Sequence, residues 1–295
     1  MATITKNYRL LTQLIDESFT VANADVYNLY LTLSKHSIRF GAEDTIRHKF
    51  VLLEDYAFTN IFNPLQLVQQ LREIIMEHAF LSTVKWHRVR VGIKNQKFTF
   101  LPGTLFEAGA AADYLKLHTE IDEFHDRVFS YQHPGLDMVA IYATDQYLPT
   151  FLQTTFQPET VQIRHQTSAL IETLLHLTER IPTKRLYAYV EQNYLTLIVI
   201  KNGTLEFCNM FYYASPEDFI YFLIFVMQEQ ELNPDQDVVT VWGDLLHDSD
   251  LFDILRKYVR HLQLGKKPTN LSYSYKFDEM FEHRYLEVFS LHFCE

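Results

Sequence analysis

The chain carries 13 histidines, two cysteines and 37 carboxylates in 295 residues, so spacing has to decide whether any of them does chemistry. The tightest histidine groups are His118 with His125-Asp126, and His247 with Asp248-Ser249-Asp250. His118 and His125 share a helical face only if a helix runs unbroken between them. No His-Glu-x-x-His or comparable ligand pattern occurs. Scattered surface or half-buried histidines are therefore expected, and no metal ligand is assigned. The Asp248-Ser249-Asp250 run has the composition of a helix N-cap. Neither Cys208 nor Cys294 sits in an activating signature, and no Gly-x-Ser-x-Gly elbow is present. Glu217-Asp218 fits the first turn of a helix, where carboxylates meet the positive end of the dipole. No catalytic residue emerges.

Charge is more informative than the individual groups. Lys85, Arg88, Arg90, Lys94 and Lys97 lie in an acid-free stretch between Glu77 and Glu107. They read as a solvated edge strand blunted by its charge, or as an edge that holds an anion or an acidic segment. Between Asn202 and Leu255 there are eleven acids, from Glu206 to Asp253, and no Lys or Arg; from Arg256 to Phe277 there are only bases. Two solvated faces that attract one another within the fold explain this; a docking surface for a polar partner is the alternative. The net charge of −11 argues against general nucleic-acid binding by phosphate neutralisation. Only eight glycines leave few loops able to approach a phosphate closely.

The bulk properties then set the frame for any site. With 47% hydrophobic and 21% charged residues the chain is globular, and it is long enough for two domains. Two cysteines exclude a disulfide scaffold. Met1 to Asp16 lacks an apolar leader before a small-residue cleavage site. The longest apolar run, Phe219 to Met227, is about half of the roughly 20 residues a membrane span needs. A cytoplasmic location without a membrane span is expected.

Positioning elements recur in the same order. Leu186 to Val190, Leu195 to Ile200 and Leu205 to Tyr213 read as strands, the last two joined by Asn202-Gly203, a type I′ turn dipeptide. Ser215-Pro216-Glu217-Asp218 opens a helix to about Glu231, apolar nearly all round and so expected to be buried on several sides or in a dimer interface. Val238 to Trp242 follows as a buried strand. In the first half, strands at Tyr27 to Leu33, Ser37 to Phe40 and Lys49 to Tyr56 precede a helix led by Asn63-Pro64, then a strand at Val89 to Ile93. Between the repeats come strands at Val128 to Tyr131 and Asp137 to Ala143, a helix near Asp145 to Phe156, a strand Thr160 to Arg164 and a helix Thr167 to Arg180. The tail reads as a helix Ser249 to Leu262 and strands around Leu271 to Phe277 and Tyr285 to Phe293. Three antiparallel strands, a helix and a strand, occurring twice, suggest an ancestral duplication divided at Ile181-Pro182-Thr183-Lys184, giving lobes 1–182 and 183–295.

This duplicated β-β-β-α-β unit resembles the actin-like ATPase superfamily of actin, sugar kinases and the Hsp70 ATPase domain. The segment from Leu195 to Tyr213, followed by Pro216-Glu-Asp-Phe-Ile-Tyr-Phe, is similar to an uncharacterised Bacteroidetes family with that fold. The resemblance implies an α/β fold of duplicated actin-like (ribonuclease H-like) β-β-β-α-β lobes with mixed sheets, and no activity. Active members of the superfamily carry an Asp-x-Gly-x-x-x-Thr/Ser type loop between the first two strands of each half. Here the first loop, Leu33-Ser34-Lys35-His36-Ser37, has neither acid nor glycine. The second, Val190-Glu191-Gln192-Asn193-Tyr194, offers Glu191 in place of the aspartate, but Asn193 and Tyr194 crowd the phosphate position. The adenosine motif is reduced to the single Gly243 in Val241-Trp242-Gly243-Asp244.

Two readings remain. One is a non-catalytic scaffold or interaction module with a degenerate ATPase fold, no cofactor, and an unidentified protein partner or self-association. The other is an ATP- or phospho-ligand-dependent enzyme of unorthodox residues, with Glu191 placing the metal.

Overall fold

Hydrophobic runs of strand length dominate the chain, and they fold into two compact units. The first takes the residues up to Ala169 together with Asn270–Glu279 and the chain from Glu287 onwards; the second takes Leu170–Thr269 and Met280–Leu286. The computed structural model describes residues 7–81, 85–156, 161–178 and 183–294. The expected element ends at Thr160 and Arg180, and the boundary at Ile181-Pro182, lie outside these residues.

In the first unit, strands β1 (Tyr8–Ile15), β2 (Tyr27–Leu33), β3 (Ser37–Asp44) and β4 (Lys49–Phe58) precede helix α1 (Pro64–Glu77) and strand β5 (Arg88–Ile93). Asn63 accepts from the Gln66 N–H at 2.9 Å and Pro64 fills the first helical position. Val68, Leu71, Ile74 and Ile75 make the buried stripe of α1. A small antiparallel sheet follows, from β6 (Phe98–Pro102), β7 (Asp126–Gln132) and β8 (Met138–Asp145), with β8 central. Leu115 of the short helix α2 (Ala111–Lys116) packs on Val139, Ile141 and Ala143. Helix α3 (Tyr147–Thr155) and strand β9 (Val161–His165) complete the run, and the large sheet is ordered β1-β4-β3-β2-β5-β9. Helix α4 (Gln166–Thr178) leads out of it.

The second unit is built around strands β10 (Arg185–Glu191), β11 (Tyr194–Lys201) and β12 (Thr204–Tyr212), helix α5 (Pro216–Glu229), strand β13 (Val238–Gly243), helix α6 (Asp250–Tyr258) and strand β14 (His261–Leu264). Its sheet is ordered β12-β11-β10-β13-β14. In the large sheets the neighbours β2, β3 and β4, like β10, β11 and β12, are antiparallel, whereas β5 and β9 run parallel to β2, and β13 and β14 parallel to β10. Asn202 and Gly203 both have positive φ, 52° and 72°, as a type I′ turn demands. Ser215 caps α5 by accepting from the Asp218 N–H at 3.1 Å, and Ser249 caps α6 by accepting from Phe252 at 3.3 Å. The switch from acidic to basic sequence falls inside α6. Asp250 and Asp253 stand in its first turn and Arg256 and Lys257 in its last, the polarity that the helix dipole favours.

Several sequence expectations need correction. Leu262 belongs to strand β14, because α6 stops at Tyr258 and Val238–Val241 offers His261–Leu264 a parallel edge. Leu271 to Phe277 contributes only the two-residue strand β15 (Ser272–Tyr273), which pairs with β4 and is followed by a 3-10 turn. Tyr285 to Phe293 is not a strand. It forms helix α7 (Leu286–Ser290) and a 3-10 turn, Leu291–Phe293. Short apolar runs do not separate a buried helix from a buried strand by periodicity, and here the sheet is prepared for a helix. A Cβ on Gly41 would stand 3.0 Å from Val288, and one on Gly92 3.3 Å from Leu291. Nor is Arg88–Ile93 an edge strand, since it lies between β2 and β9.

One buried group gives this unit a pH dependence. His165 at the end of β9 is fully enclosed; its Nε2–H donates to the Asn95 carbonyl at 3.0 Å and its Nδ1 accepts from the Thr167 hydroxyl at 2.7 Å. Burial pushes its pKa from 6.5 down to about 4. Protonation therefore favours the unfolded chain. The stabilisation is complete above pH 6.5 and is lost as the pH falls from 6.5 towards 4, by about 2–3 kcal/mol. Urea unfolding at pH 7 and pH 4.5 should show this loss, and His165→Gln should flatten it. An unchanged pH slope in the variant would assign the effect elsewhere.

Candidate functional site

The β2–β3 and β10–β11 connections, which the resemblance makes the candidate phosphate loops, are both closed by side chains. After β2, the Ser34 hydroxyl oxygen accepts from the N–H groups of both His36 and Ser37, each at 3.1 Å. The Ser34 N–H donates to the Ser37 carbonyl at 3.0 Å. Two amides that would otherwise be available to an anion end on the Ser34 side chain, and the connection holds no glycine.

In the second unit the corresponding connection is a two-residue turn, Gln192-Asn193, between the paired residues Glu191 and Tyr194. Gln192 takes φ 52°. Tyr213 holds this turn: its N–H donates to the Asn193 carbonyl at 2.9 Å, its hydroxyl donates to the Gln192 carbonyl, and its own carbonyl accepts from Asn193 Nδ2 at 3.2 Å. Glu191 is 4% exposed and shares a face of β10 with Tyr187 and Tyr189. The Tyr194 ring meets Tyr212 edge-on at 5.6 Å.

Gly243 is explained by packing. With φ 106°, it brings the end of β13 against β10 so closely that a Cβ would lie 1.8 Å from the Val190 carbonyl oxygen. Its N–H donates to the His283 carbonyl at 2.8 Å, and the next amide, of Asp244, donates to Val190 at 2.7 Å. Trp242 lies over Gly265 and donates from Nε1 to the Lys266 carbonyl at 3.0 Å. The glycine is demanded by two backbones in contact.

The remaining candidates resolve as structure. Arg88 is exposed, but Arg90 is buried and donates through Nη1 to the carbonyls of Leu291 and His292 at 3.1 and 2.6 Å. Lys97 pairs with Asp126. His118 lies beyond the end of α2, and His125 bonds the exposed Asp122 at 2.7 Å. His247 packs edge-on against Phe252. Burial pushes the thiol of the half-buried Cys208 well up, away from nucleophilic character. Among the described residues, no group of three or more His, Cys, Asp or Glu is placed to hold a metal ion.

Two surface features escaped sequence reasoning, because each joins residues far apart in the chain. In the first, the wholly buried Glu54 accepts from Gln13 at 2.8 Å, the Tyr56 hydroxyl at 2.7 Å and His78 Nε2 at 3.1 Å. Burial and this carboxylate raise the Tyr56 hydroxyl pKa. Three bonds converge on Glu54, so the cluster braces the wall of an open cavity of about 400 Å³. The second is an apolar groove of similar size between α1 and α3, lined by Leu65, Val68, Ile75, Tyr147 and Phe151, with Arg72 5.4 Å over the Phe151 ring.

Residues 16–262 match the family described as Protein of unknown function (DUF3822). The chain belongs to this family. Its fold is similar to that of a protein from Bacteroides thetaiotaomicron with an actin-like ATPase fold and unknown function. That likeness has 23% identity and a TM-score of 0.80, and covers 94% of this chain and 99% of the other. It is also similar to a chain of the PilM–PilN type IV pilus biogenesis complex, with 12% identity, a TM-score of 0.59, and 91% and 98% of the two chains covered. None of the curated proteins matches the sequence. This DUF3822 member therefore has the actin-like ATPase fold, a mixed α/β architecture with mixed sheets. Among its described residues, no helix is long and apolar enough to cross a membrane.

Proposed function

We propose that this DUF3822 member is a non-catalytic, cytoplasmic interaction module that keeps the actin-like frame without its nucleotide chemistry. The observation that carries the reading is the closure of both phosphate loops. Ser34 takes the amides of its own turn, and Tyr213 locks the Gln192-Asn193 turn. Phosphates are held in such folds by loop amides and a metal ion positioned by acids. The first loop has no acid, and the second has only Glu191, buried in the sheet. Exposed apolar surface, including the α1–α3 groove, supports a protein partner or self-association. So does the likeness to a protein solved as part of a two-protein complex. The common strand order of the two large sheets supports an ancestral duplication, with copies in 1–182 and 183–295 and the end of the second copy folded into the first unit.

Thermal unfolding with and without millimolar Mg-ATP tests the reading, and no shift is expected. A ligand present at a hundred times its dissociation constant would add about 2.7 kcal/mol of stability. An upward shift that Glu191→Ala abolishes would replace the scaffold by the enzyme that uses Glu191.

A further inference from the structure

Helix α1 carries large apolar residues beyond its buried stripe. Leu65 and Met76 stay 57% and 72% exposed. Leu65, Arg72 and Met76 lie seven and four positions apart, and so on one side of the helix. With Tyr147 and Phe151 of α3 they make the two walls of the apolar groove. Tyr147, on the opposite wall, is itself 41% exposed. The rim therefore runs along α1 from Leu65 to Met76, about 16 Å at 1.5 Å per residue. Three turns of a guest helix match that length. An apolar surface of this kind, left open beside polar residues, marks a site for a partner.

The walls specify the occupant. Thr154 Oγ1 donates to the Thr150 carbonyl at 2.5 Å and Thr155 Oγ1 to the Phe151 carbonyl at 2.8 Å, so these hydroxyls are engaged within α3. Both walls are helices, whose backbone groups bond internally. An extended guest would bury its own N–H and C=O groups here without partners. A helix arrives with those bonds made, and its ridges fit the furrow between two others. Arg72 is the one charged residue of the lining. Its guanidinium lies 5.4 Å over the Phe151 ring and, among the described residues, forms no ion pair. The nearby acids of α1 are engaged elsewhere: Glu73 accepts from Gln69 at 3.3 Å and Glu77 from the Tyr8 hydroxyl at 2.6 Å. A guanidinium held on an aromatic face keeps its N–H fork for a planar acceptor such as a carboxylate. Two-fold self-association would set this lining against its own copy, which has no acid to offer Arg72. An acidic guest supplies the complementary charge.

We infer that the α1–α3 groove receives an amphipathic helix of a partner protein, its apolar stripe lying between Leu65, Met76 and Tyr147 and an Asp or Glu in the middle of that stripe meeting Arg72. The inference deepens and rests on the interaction-module reading, giving it a partner chemistry.

The probe is a fluorescein-labelled helical peptide of alanine and glutamine, with a leucine stripe at three- and four-residue spacing and one glutamate in the middle of the stripe. Its counterpart carries lysine in place of that glutamate. Titrated into the full chain, the glutamate peptide should bind at least tenfold more tightly by fluorescence anisotropy, and weaken as salt rises. The methyl resonance of Met76 should shift on binding. Arg72→Glu should invert the preference between the two peptides, and Met76→Glu should weaken the glutamate peptide at least tenfold. Both positions are exposed, and thermal unfolding checks that each variant is folded. Equal affinity for the two peptides, no binding, an unmoved Met76 methyl, or an Arg72→Glu chain that keeps the parent's preference would each overturn the inference. So would a Met76 shift produced by dodecanoate and not by the peptide, or a chain dimer that Met76→Glu dissolves, since either gives the groove another occupant. Mg-ATP melting on the same sample separates the two readings. A nucleotide shift with the Met76 response intact would remove the non-catalytic function and leave the helix groove standing. No peptide binding and no nucleotide shift would remove the groove's occupant alone.

Discussion

Gly243→Ala should cost more than about 4 kcal/mol, the range reserved for substitutions with an identifiable steric or electrostatic fault. Two faults coincide at this position. The backbone sits at φ 106°, which L-residues avoid, and the new methyl would stand 1.8 Å from the Val190 carbonyl oxygen. The neighbour is backbone within a central strand, so it cannot swing aside as a long side chain would. Moving it would also break the hydrogen bond from Asp244 to Val190. Urea unfolding and the soluble yield on expression would measure the effect. Gly109→Ala is the control, because nothing lies within 4 Å of its added carbon, and it should behave as the parent. If Gly243→Ala unfolds within about 1 kcal/mol of the parent, the close approach of β13 to β10 is not as described.

Arg39→Ala should destabilise the first unit by about 3–5 kcal/mol, the usual result of stripping a buried charge of its partner. Arg39 is 3% exposed on β3 and lies 3.2 Å from Asp55 on β4 and 2.7 Å from Glu287 on α7. Removing it leaves two buried carboxylates facing one another without their shared cation. Arg39→Met with Asp55→Asn and Glu287→Gln should recover much of the loss, since an uncharged set needs no compensation. Denaturation of the single and triple variants decides the point; equal stability of Arg39→Ala and the parent would show that the pair carries no net stabilisation. Because Glu287 lies in the chain's last segment, the prediction also tests whether that segment is an integral part of the first unit.

The failures of sequence reasoning have local physical causes. Strand β1 was missed because Tyr8–Ile15 mixes Arg, Thr and Gln with its apolar residues, as a half-exposed strand must. Arg90 reads from sequence as a solvated cation, because a charge says nothing of the carbonyls of Leu291 and His292 waiting two hundred residues away. The apolar stretch in α5 was legible as a helix, with Ser215 and Pro216 marking its start. Its exposed side was not, since every face carries large apolar residues and only the placement of the sheet and α6 selects which are covered. Gly243 looked like the remnant of an adenosine loop, and its positive φ and contact with Val190 exist only once β10 and β13 are paired.

What the sequence determined by itself is the set of local decisions: the Asn202-Gly203 turn, the proline-led helices at Pro64 and Pro216 with their caps, the strands between them, and the absence of glycine from the β2–β3 and β10–β11 connections. These are fixed by φ preferences, hydrogen-bonding side chains and hydrophobic period within a few residues. Tertiary structure decided the rest: that Leu286–Ser290 is a helix whose Val288 lies over Gly41 and whose following turn sets Leu291 over Gly92, that Glu54 collects three donors from separate elements, and that β12 is left at the edge of its sheet. Those outcomes depend on which distant surfaces meet. A hydrophobic run carries the energy of burial but no address, and only the closed fold supplies one.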